Sequence, residues 1–333
     1  SLRPAGGLPA LPEETVVLEG DAIGEFVAAR APAVVVITNS NQFDRLRLVP
    51  GLHLVLDLFA PKMLELACNP TREDQARALE VVRERKLRAL ASAAACIVNG
   101  AKKVPYLVGW LLAAGRDPAA VPLEVVPLGV PARLRPPRPE GAGLRFLVAG
   151  YLQGWSRPGT WLDALTSRLD PPRTTLDLLL PRHWGRRRPP EEVDPLDEVA
   201  ARPGVIRHDA MPYEAYLDLV SRSDVAVDLF ARTLEREYAM ITRTVIALCC
   251  GVPVIHPPFT EVSPLVARYD AGWLVDPGDP AALAAVLDEV IAHPEAAEAK
   301  AAGARRLWAD VLDPVVATAP LAGMVRELLA GHS

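Results

Sequence analysis

The sequence predicts an α/β protein made of two doubly wound, Rossmann-like domains that face a central cleft. Runs of Val, Ile and Leu, such as residues 33–38, alternate along the chain with segments of helical periodicity. Continuous apolar runs are typical of parallel strands that are buried on both faces. The alternation starts again after residues 131–143, where four prolines and two glycines interrupt it. A repeated series of this kind indicates two separate sheets.

A chain of 333 residues is longer than one hydrophobic core usually organises, which favours two domains of about 150 residues each. We assign the domains as follows: an N-terminal domain at 1–130, a linker at 131–143, a second domain at 144–315 and a C-terminal helix at 316–333. For this last helix we consider packing against the N-terminal domain. The opening nine residues read as a loop, and we expect a first strand and its loop to precede them.

The first half contains alternating predicted strands and helices. The predicted strands are 15–18, 33–38, 52–59, 96–99 and 123–127, and the predicted helices are 21–30, 72–92 and 102–114.

The second half repeats the alternation. Its predicted strands are 144–149, 175–180, 205–208, 224–230 and 252–256, with short elements at 260–267 and 272–275. Its predicted helices are 158–169, 213–221 and 239–250, followed by Ala-rich helices within 280–312. Ligands of such sheets bind outside the carboxyl ends of the strands.

Composition excludes several classes of partner. The net charge of −5 gives no general attraction for nucleic acid. No apolar run reaches the roughly 18 to 20 residues of a membrane span, so we expect only peripheral contact with an inner membrane. The four cysteines lack CxxC or zinc-ligand spacing, which predicts reduced thiols and a cytoplasmic location.

Several common chemistries lack their motifs. The sequence has no Gly-x-Ser-x-Gly elbow, no Walker A loop and no Gly-x-Gly-x-x-Gly fingerprint, which argues against hydrolases, P-loop kinases and dinucleotide oxidoreductases. It also has no Asp-x-Asp tripeptide and no cluster with metal-ligand spacing. We therefore expect no cofactor and a metal-independent reaction.

Two segments, 235–255 and 271–280, resemble the signature of glycosyltransferase family 4 and its bacterial polysaccharide and O-antigen relatives. In that family an acid precedes a helix that ends in Gly-x-Pro-Val-Ile, and a later Gly-x-x-Val-x-Pro-Gly-Asp precedes an Ala-rich helix. Residues 144–150 are similar to the first strand of its donor domain, and 55–61 to an Asp-x-Tyr-Asp-Pro stretch. The resemblance implies a GT-B fold, with the acceptor side at 1–130 and the nucleotide-sugar donor site at 144–315.

The sequence departs from the family at two places. The second acid of the family motif, which usually meets the nucleotide ribose, is replaced by Ile246. The glycine-rich loop after the family's first strand is not visible either. Both departures fit a degenerate enzyme, and the second also fits a missing upstream segment.

Cleavage of a sugar-phosphate bond places negative charge on the leaving diphosphate, which backbone N–H groups and arginines can stabilise. We predict that Gly150, Gly154 and Arg157, in the loop after the first strand of the second domain, contact phosphate. The alternative for the glycines is a turn-forming role alone. Arg182 follows the next strand, where the family often has a diphosphate-binding base; a solvated arginine is the alternative.

Acidic residues precede the helix of the family motif. Glu235 and Glu237 lie at the predicted carboxyl edge of the sheet, where a carboxylate can accept hydrogen bonds from sugar hydroxyls, and we assign them catalytic roles. Related transferases carry an acid and a Thr-Arg pair at the spacing of Glu237, Thr242 and Arg243, which implies donor binding by the last two. The alternatives are helix N-terminal stabilisation by the acids and a structural ion pair for Arg243.

Two further candidates complete the predicted site. Tyr213 lies where the family places the nucleotide base and could pack against it, with core packing as the alternative. Asp57, at the end of a buried strand of the first domain, is a candidate for orienting or deprotonating the acceptor hydroxyl.

These residues lead to one functional hypothesis and two rivals. The leading hypothesis is transfer of a sugar from a nucleotide diphosphate to a saccharide, lipid-linked or small-molecule acceptor, with retention of configuration as the resemblance implies. The rivals are a nucleotide-sugar epimerase and a catalytically silent homologue that acts as a binding or regulatory partner.

Overall fold

A computed structural model of the chain describes residues 16, 18, 20, 22–68, 75–139, 141–151, 159–181 and 196–331. Within these residues the strands form two parallel sheets, one of four strands and one of six. The predicted fold class is confirmed.

The first sheet belongs to the N-terminal half of the chain. Its strands are β1 (Ala33–Thr38), β2 (Leu52–Asp57), β3 (Ala95–Val98) and β4 (Leu123–Val125), and its helices are α1 (Ala22–Ala28), α2 (Lys62–Ala67), α3 (Gln75–Ser92) and α4 (Lys103–Ala113). The strands pair in chain order, with β1 and β4 at the edges. Leu54 and Leu56 of β2 are almost fully buried against Leu90 of α3 and Leu107 of α4, as expected for a sheet covered by helices.

The second sheet contains six strands: β5 (Leu144–Ala149), β6 (Thr174–Leu179), β7 (Val205–Arg207), β8 (Val225–Val227), β9 (Val254–His256) and β10 (Gly272–Leu274). Its helices are α5 (Trp161–Thr166), α6 (Asp197–Ala200), α7 (Tyr213–Ser221), α8 (Leu234–Glu237), α9 (Thr242–Cys249), α10 (Ser263–Tyr269), α11 (Pro280–Ala292) and α12 (Pro294–Leu307).

The strand order of this sheet is β10-β9-β8-β5-β6-β7. The chain runs outward from β5 through β6 to β7, and then returns to place β8 on the other side of β5. This reversal leaves a crevice at the carboxyl ends of β5 and β8, the usual ligand position in doubly wound sheets.

Several predicted boundaries are wrong for physical reasons. The predicted strand 224–230 is paired only over Val225–Val227, because the chain leaves the sheet at its carboxyl edge. The predicted helix 239–250 begins at Thr242, since residues 239–241 connect it to the short α8. The Ala-rich segment divides at His293, where Pro294 begins a new helix, because proline lacks the N–H that would continue the preceding one.

The end of the chain returns to the first sheet. A π-helical turn, Trp308–Leu312, leads from α12 into α13 (Pro314–Ala330). Met324 of α13 packs with Val55, Ala95 and Ile97 of the first sheet. None of the helices in the part of the chain that the structure describes is long and apolar enough to cross a membrane.

Truncation of the Met324 side chain should destabilise the protein through this packing. Met324 is 5% exposed, and large-to-alanine changes at such positions cost about 2–5 kcal/mol. On the same helix Val315 is 80% exposed, so Val315→Ala should change the stability by less than about 0.5 kcal/mol. Urea unfolding of both variants measures the difference, and equal midpoints would contradict the packing of α13 on the sheet.

Candidate functional site

A cavity of about 590 Å³ lies between the two domains, within the roughly 300–1,000 Å³ typical of small-molecule sites. The first domain contributes the segment after β2 and the start of α2, with Phe59, Pro61 and Glu65. The second domain contributes the carboxyl ends of β5 and β6 together with α7, α8 and α9. The cavity therefore opens at the crevice created by the reversed strand order.

A buried carboxylate organises one wall of the cavity. Asp228, directly after β8, accepts hydrogen bonds from Arg243 Nη2 at 2.8 Å and from Thr244 Oγ1 at 2.7 Å. Arg236 Nη2 lies 3.6 Å from the same carboxylate. Burial alone would raise the pKa of Asp228, but the charges of Arg243 and Arg236 outweigh it and hold the pKa well below its usual value. The carboxylate is therefore ionised and oriented.

The two arginines face the cavity from this wall. Both line it, and their guanidinium carbons lie 4.3 Å (Arg243) and 4.6 Å (Arg236) from the centre of the Phe230 ring. Among the described residues, no acceptor meets the buried Nε of Arg243. Arg243 and Arg236 share the carboxylate of Asp228, and guanidinium N–H groups on a cavity wall suit an oxyanion with several acceptor oxygens.

Gly150 makes room for one of these guanidiniums. It follows β5, has a φ of +142°, and an added Cβ would lie 2.8 Å from Nη1 of Arg243. A side chain at this position would both strain the backbone and displace the arginine. The structure thus brings together Gly150 and Arg243, two residues that the sequence analysis predicted independently.

The two predicted glutamates have different surroundings. Glu235 lines the cavity and is 8% exposed; burial raises its pKa, although Arg236 opposes the shift. Glu237 is not part of the lining, and its Oε1 accepts a hydrogen bond at 2.7 Å from Nε of the exposed Arg232. The helix α8 is capped by Thr233, whose hydroxyl accepts from the Arg236 N–H, so neither glutamate serves as its N-cap.

On the first-domain side, Asp57 ends β2 beside a buried lysine. Burial raises the pKa of Asp57 to about 6, while the Lys103 charge and a hydrogen bond with Thr38 oppose the shift. Lys103 is 1% exposed and its Nζ donates to the Phe59 carbonyl at 2.8 Å and to Asn99 Oδ1. Burial lowers the pKa of Lys103 to about 8. Asp57 itself does not line the cavity, but the segment that follows it does.

The remaining wall of the cavity is largely apolar. It includes Leu179, Met211 and Ile246, with Tyr213 and Tyr216 from α7. Tyr213 is 51% exposed, whereas Ile246 is 5% exposed. The position at which the resemblance places an acid is therefore an apolar part of the wall.

Behind the arginines, a series of buried polar side chains joined by hydrogen bonds extends away from the cavity. His256 is fully buried; its Nδ1 lies 3.4 Å from Thr244 Oγ1 and its Nε2 lies 2.7 Å from Thr260 Oγ1. Burial lowers its pKa to about 4, although Asp228 opposes the shift. The ring is therefore neutral near pH 7 and can donate at one nitrogen and accept at the other.

The predicted residues are only partly assembled at the cavity. Gly150, Tyr213, Glu235, Thr242 and Arg243 line it, whereas Asp57 and Glu237 do not. Gly154, Arg157 and Arg182 lie outside the described residues.

Three residues at or beside the cavity were not predicted from the sequence: Asp228, Arg236 and Lys103. Asp228 carried only a weak signal, because it lies inside the predicted strand 224–230 and the sequence does not show that the strand ends before it, at the sheet edge where ligands bind. Arg236 and Lys103 carried no comparable signal.

No family model matches the sequence, and no curated protein matches it either. Solved structures do match. Sucrose-phosphate synthase from Thermosynechococcus elongatus is 17% identical over 98% of this chain and 82% of its own, with a TM-score of 0.62. HepE from Anabaena in complex with UDP is 15% identical over 92% of this chain and 82% of its own, with a TM-score of 0.63.

The trehalose 6-phosphate synthase from Burkholderia multivorans is 13% identical over 94% of this chain and 76% of its own, with a TM-score of 0.61. These neighbours are GT-B glycosyltransferases, and the chain shares their fold. The GT-B fold that the resemblance implied is confirmed.

Removal of the Asp228 carboxylate should destabilise the protein strongly. Breaking a buried ion pair by deletion of one partner costs about 3–5 kcal/mol, and Asp228→Ala removes the carboxylate to which Arg243 is hydrogen-bonded. The matched control is Glu237→Ala, which removes an exposed pair and should cost at most about 1 kcal/mol. Chemical denaturation measures both values; similar small losses would show that Asp228 does not hold the arginines.

The buried His256 should make stability fall with acid. Its pKa is lowered from 6.5 to about 4, so the unfolded state binds the proton more readily and the stabilisation present above pH 6.5 is lost as the pH falls towards 4. The melting temperature of His256→Gln should therefore fall less between pH 7 and pH 5 than that of the unchanged protein. His293→Gln, at an exposed histidine, is the control, and parallel pH curves for all three proteins would contradict the expectation.

Proposed function

We propose that this protein is a glycosyltransferase that binds a nucleotide-diphosphate sugar in the cavity between its domains. The observation that carries the proposal is the pair of cavity-facing arginines on Asp228, at the carboxyl edge of β5 and β8. Preorganised positive charge at this position suits a leaving diphosphate. The fold and the UDP bound in the HepE structure support the same proposal.

The cavity suggests an orientation for the donor. Its diphosphate would meet Arg243, Arg236 and the Gly150 backbone, and Gly154, Arg157 and Arg182 remain proposed contacts in the same region. The base would lie along the apolar wall beside Tyr213, with Thr242 near the nucleotide. The sugar would then point towards the first domain.

In the proposed reaction the bond between the anomeric carbon and the phosphate oxygen breaks, and its electron pair leaves with the diphosphate. An acceptor hydroxyl oxygen bonds to the anomeric carbon on the face from which the diphosphate leaves, as net retention requires. Its proton passes to a base, for which we propose Asp57, at the end of β2 just before the cavity-lining segment. Glu235, on the second-domain wall, would orient the sugar hydroxyls, and Glu237, the last residue of α8, remains a proposed catalytic residue. We further propose net retention and a metal-independent reaction, as in glycosyltransferase family 4.

The proposed acceptor is a saccharide, a lipid-linked saccharide or a small molecule, and the proposed setting is the cytoplasmic side of a bacterial inner membrane. The second candidate function is a catalytically silent homologue, which the apolar Ile246 in the cavity wall favours. Such a protein would bind a nucleotide and transfer nothing.

Binding of a nucleoside diphosphate should raise the melting temperature. A ligand that binds only the folded state adds about 2.7 kcal/mol of stability at 100 times its Kd. We expect a shift with one of UDP, GDP, ADP, TDP and CDP that is lost in Arg243→Ala. The matched control is Arg232→Ala, an exposed arginine outside the cavity lining, which should keep the shift.

A second measurement separates the two candidates. Incubation with the corresponding nucleotide sugar and an acceptor extract should release nucleoside diphosphate if the protein is a transferase. Binding without release would support the silent homologue, and the absence of any thermal shift would contradict both donor-site functions.

A further inference from the structure

A glutamate of the second domain contacts a helix of the first. Glu261, in the loop after β9, accepts hydrogen bonds from the backbone N–H groups of Lys103 at 2.8 Å and Lys102 at 3.1 Å, at the start of α4. A third bond has its donor on the same side, because Lys102 Nζ donates to the Phe259 carbonyl at 2.6 Å. A carboxylate at a helix N-terminus interacts favourably with the free N–H groups and the helix dipole.

The first domain has space for this carboxylate because residue 100 is a glycine. A Cβ added to Gly100 would lie 2.3 Å from Cδ of Glu261. Gly100 is not among the glycines with a positive φ, so its backbone would accept alanine without strain. The glycine therefore serves the approach of Glu261 and no special backbone conformation.

The contact is joined to both sides of the cavity. On the second-domain side, Glu261 follows Thr260 in the sequence. A series of hydrogen bonds runs from Thr260 through His256 and Thr244 to Asp228, which holds the two arginines. On the first-domain side, Lys103 donates its Nζ to the carbonyl of Phe59, a residue of the cavity lining. Glu261 thus links one wall of the cavity to the other.

We propose that Glu261 is a positioning residue that holds the two domains in the orientation that forms the donor cavity. Its role in donor binding rests on the proposed function, whereas its role in domain orientation does not. Without the contact, the two domains separate in part of the population and the cavity walls come apart. The apparent Kd of a ligand that needs both walls rises in inverse proportion to the fraction that stays closed, so a fall of the closed form to about one tenth gives a roughly tenfold increase.

The test removes the contact from each side separately. Glu261→Ala deletes the acceptor, and Gly100→Ala pushes the carboxylate away from the first domain. Small-angle X-ray scattering of the full chain without ligand should give a larger radius of gyration for both variants. Calorimetric titration with UDP as probe should give a Kd increased about tenfold. Glu261→Gln, which keeps an acceptor oxygen, should give smaller changes.

Two variants serve as matched controls. Gly109→Ala lies on the same helix α4, where an added Cβ meets no atom within 4 Å, and Glu295→Ala removes a 75% exposed glutamate far along the chain. Both should keep the original radius of gyration and UDP affinity.

Unchanged scattering in Glu261→Ala and Gly100→Ala would overturn the proposal. If Glu261→Ala fails to fold, as judged by circular dichroism, Gly100→Ala and Glu261→Gln decide the question by the same measurements. If the scattering changes as expected but UDP does not bind the unchanged protein, the positioning role of Glu261 is supported. The proposal that UDP binds at the donor site is then contradicted.

Discussion

The buried carboxylate of Asp228 is the constraint on which the arrangement of the cleft depends. A carboxylate in this environment is unfavourable unless cations and hydrogen-bond donors surround it. Arg243, Arg236 and Thr244 meet that requirement, and in doing so the two arginines present their charge to the cavity. The position of Asp228 follows from topology, since it comes directly after β8, which lies next to β5 where the strand order reverses. Asp228 thus places two arginines at the sheet edge where ligands bind in this kind of fold.

The fold was predictable because its signal is local. Parallel strands covered on both faces require continuous apolar runs, and the strands around residues 33–38 and 144–149 show them in the sequence. Residues at the ends of such strands, including Gly150, could be predicted as cavity residues for the same reason. Tyr213 and Arg243 were predicted from the resemblance, and both line the cavity.

The missed residues depend on long-range contacts. Apolar periodicity could not show that the strand ends at Val227 and releases Asp228 towards the arginines. Arg236, between two glutamates, has the local pattern of an exposed ion pair. A lysine in the first turn of a helix is usually solvated, yet Lys103 is buried where its N–H meets Glu261, 158 positions along the chain. No local pattern encodes such a pairing.

The apolar Ile246 shares a face of helix α9 with Arg243. Residues three apart on a helix share a face, so Arg243 and Ile246 of α9 both line the cavity. An acid at position 246 would stand beside the guanidinium of Arg243 and compete with a bound anion for it. With isoleucine there, the carboxylate that pairs with Arg243 among the described residues is Asp228. The cavity wall therefore carries one acid fewer than the resemblance implied.

Within the described residues the chain crosses between its domains twice, and the two crossings lie side by side. The Val130 N–H donates to the Leu312 carbonyl at 3.1 Å, and Trp308 Nε1 donates to the Val130 carbonyl at 3.0 Å. After the second crossing, α13 covers a face of the first sheet. During synthesis, that face therefore stays uncovered until the whole second domain and α13 have left the ribosome. Of the two domains, the one that is made earlier is completed later, and its early folding intermediates must remain unaggregated with Val55, Ala95 and Ile97 exposed.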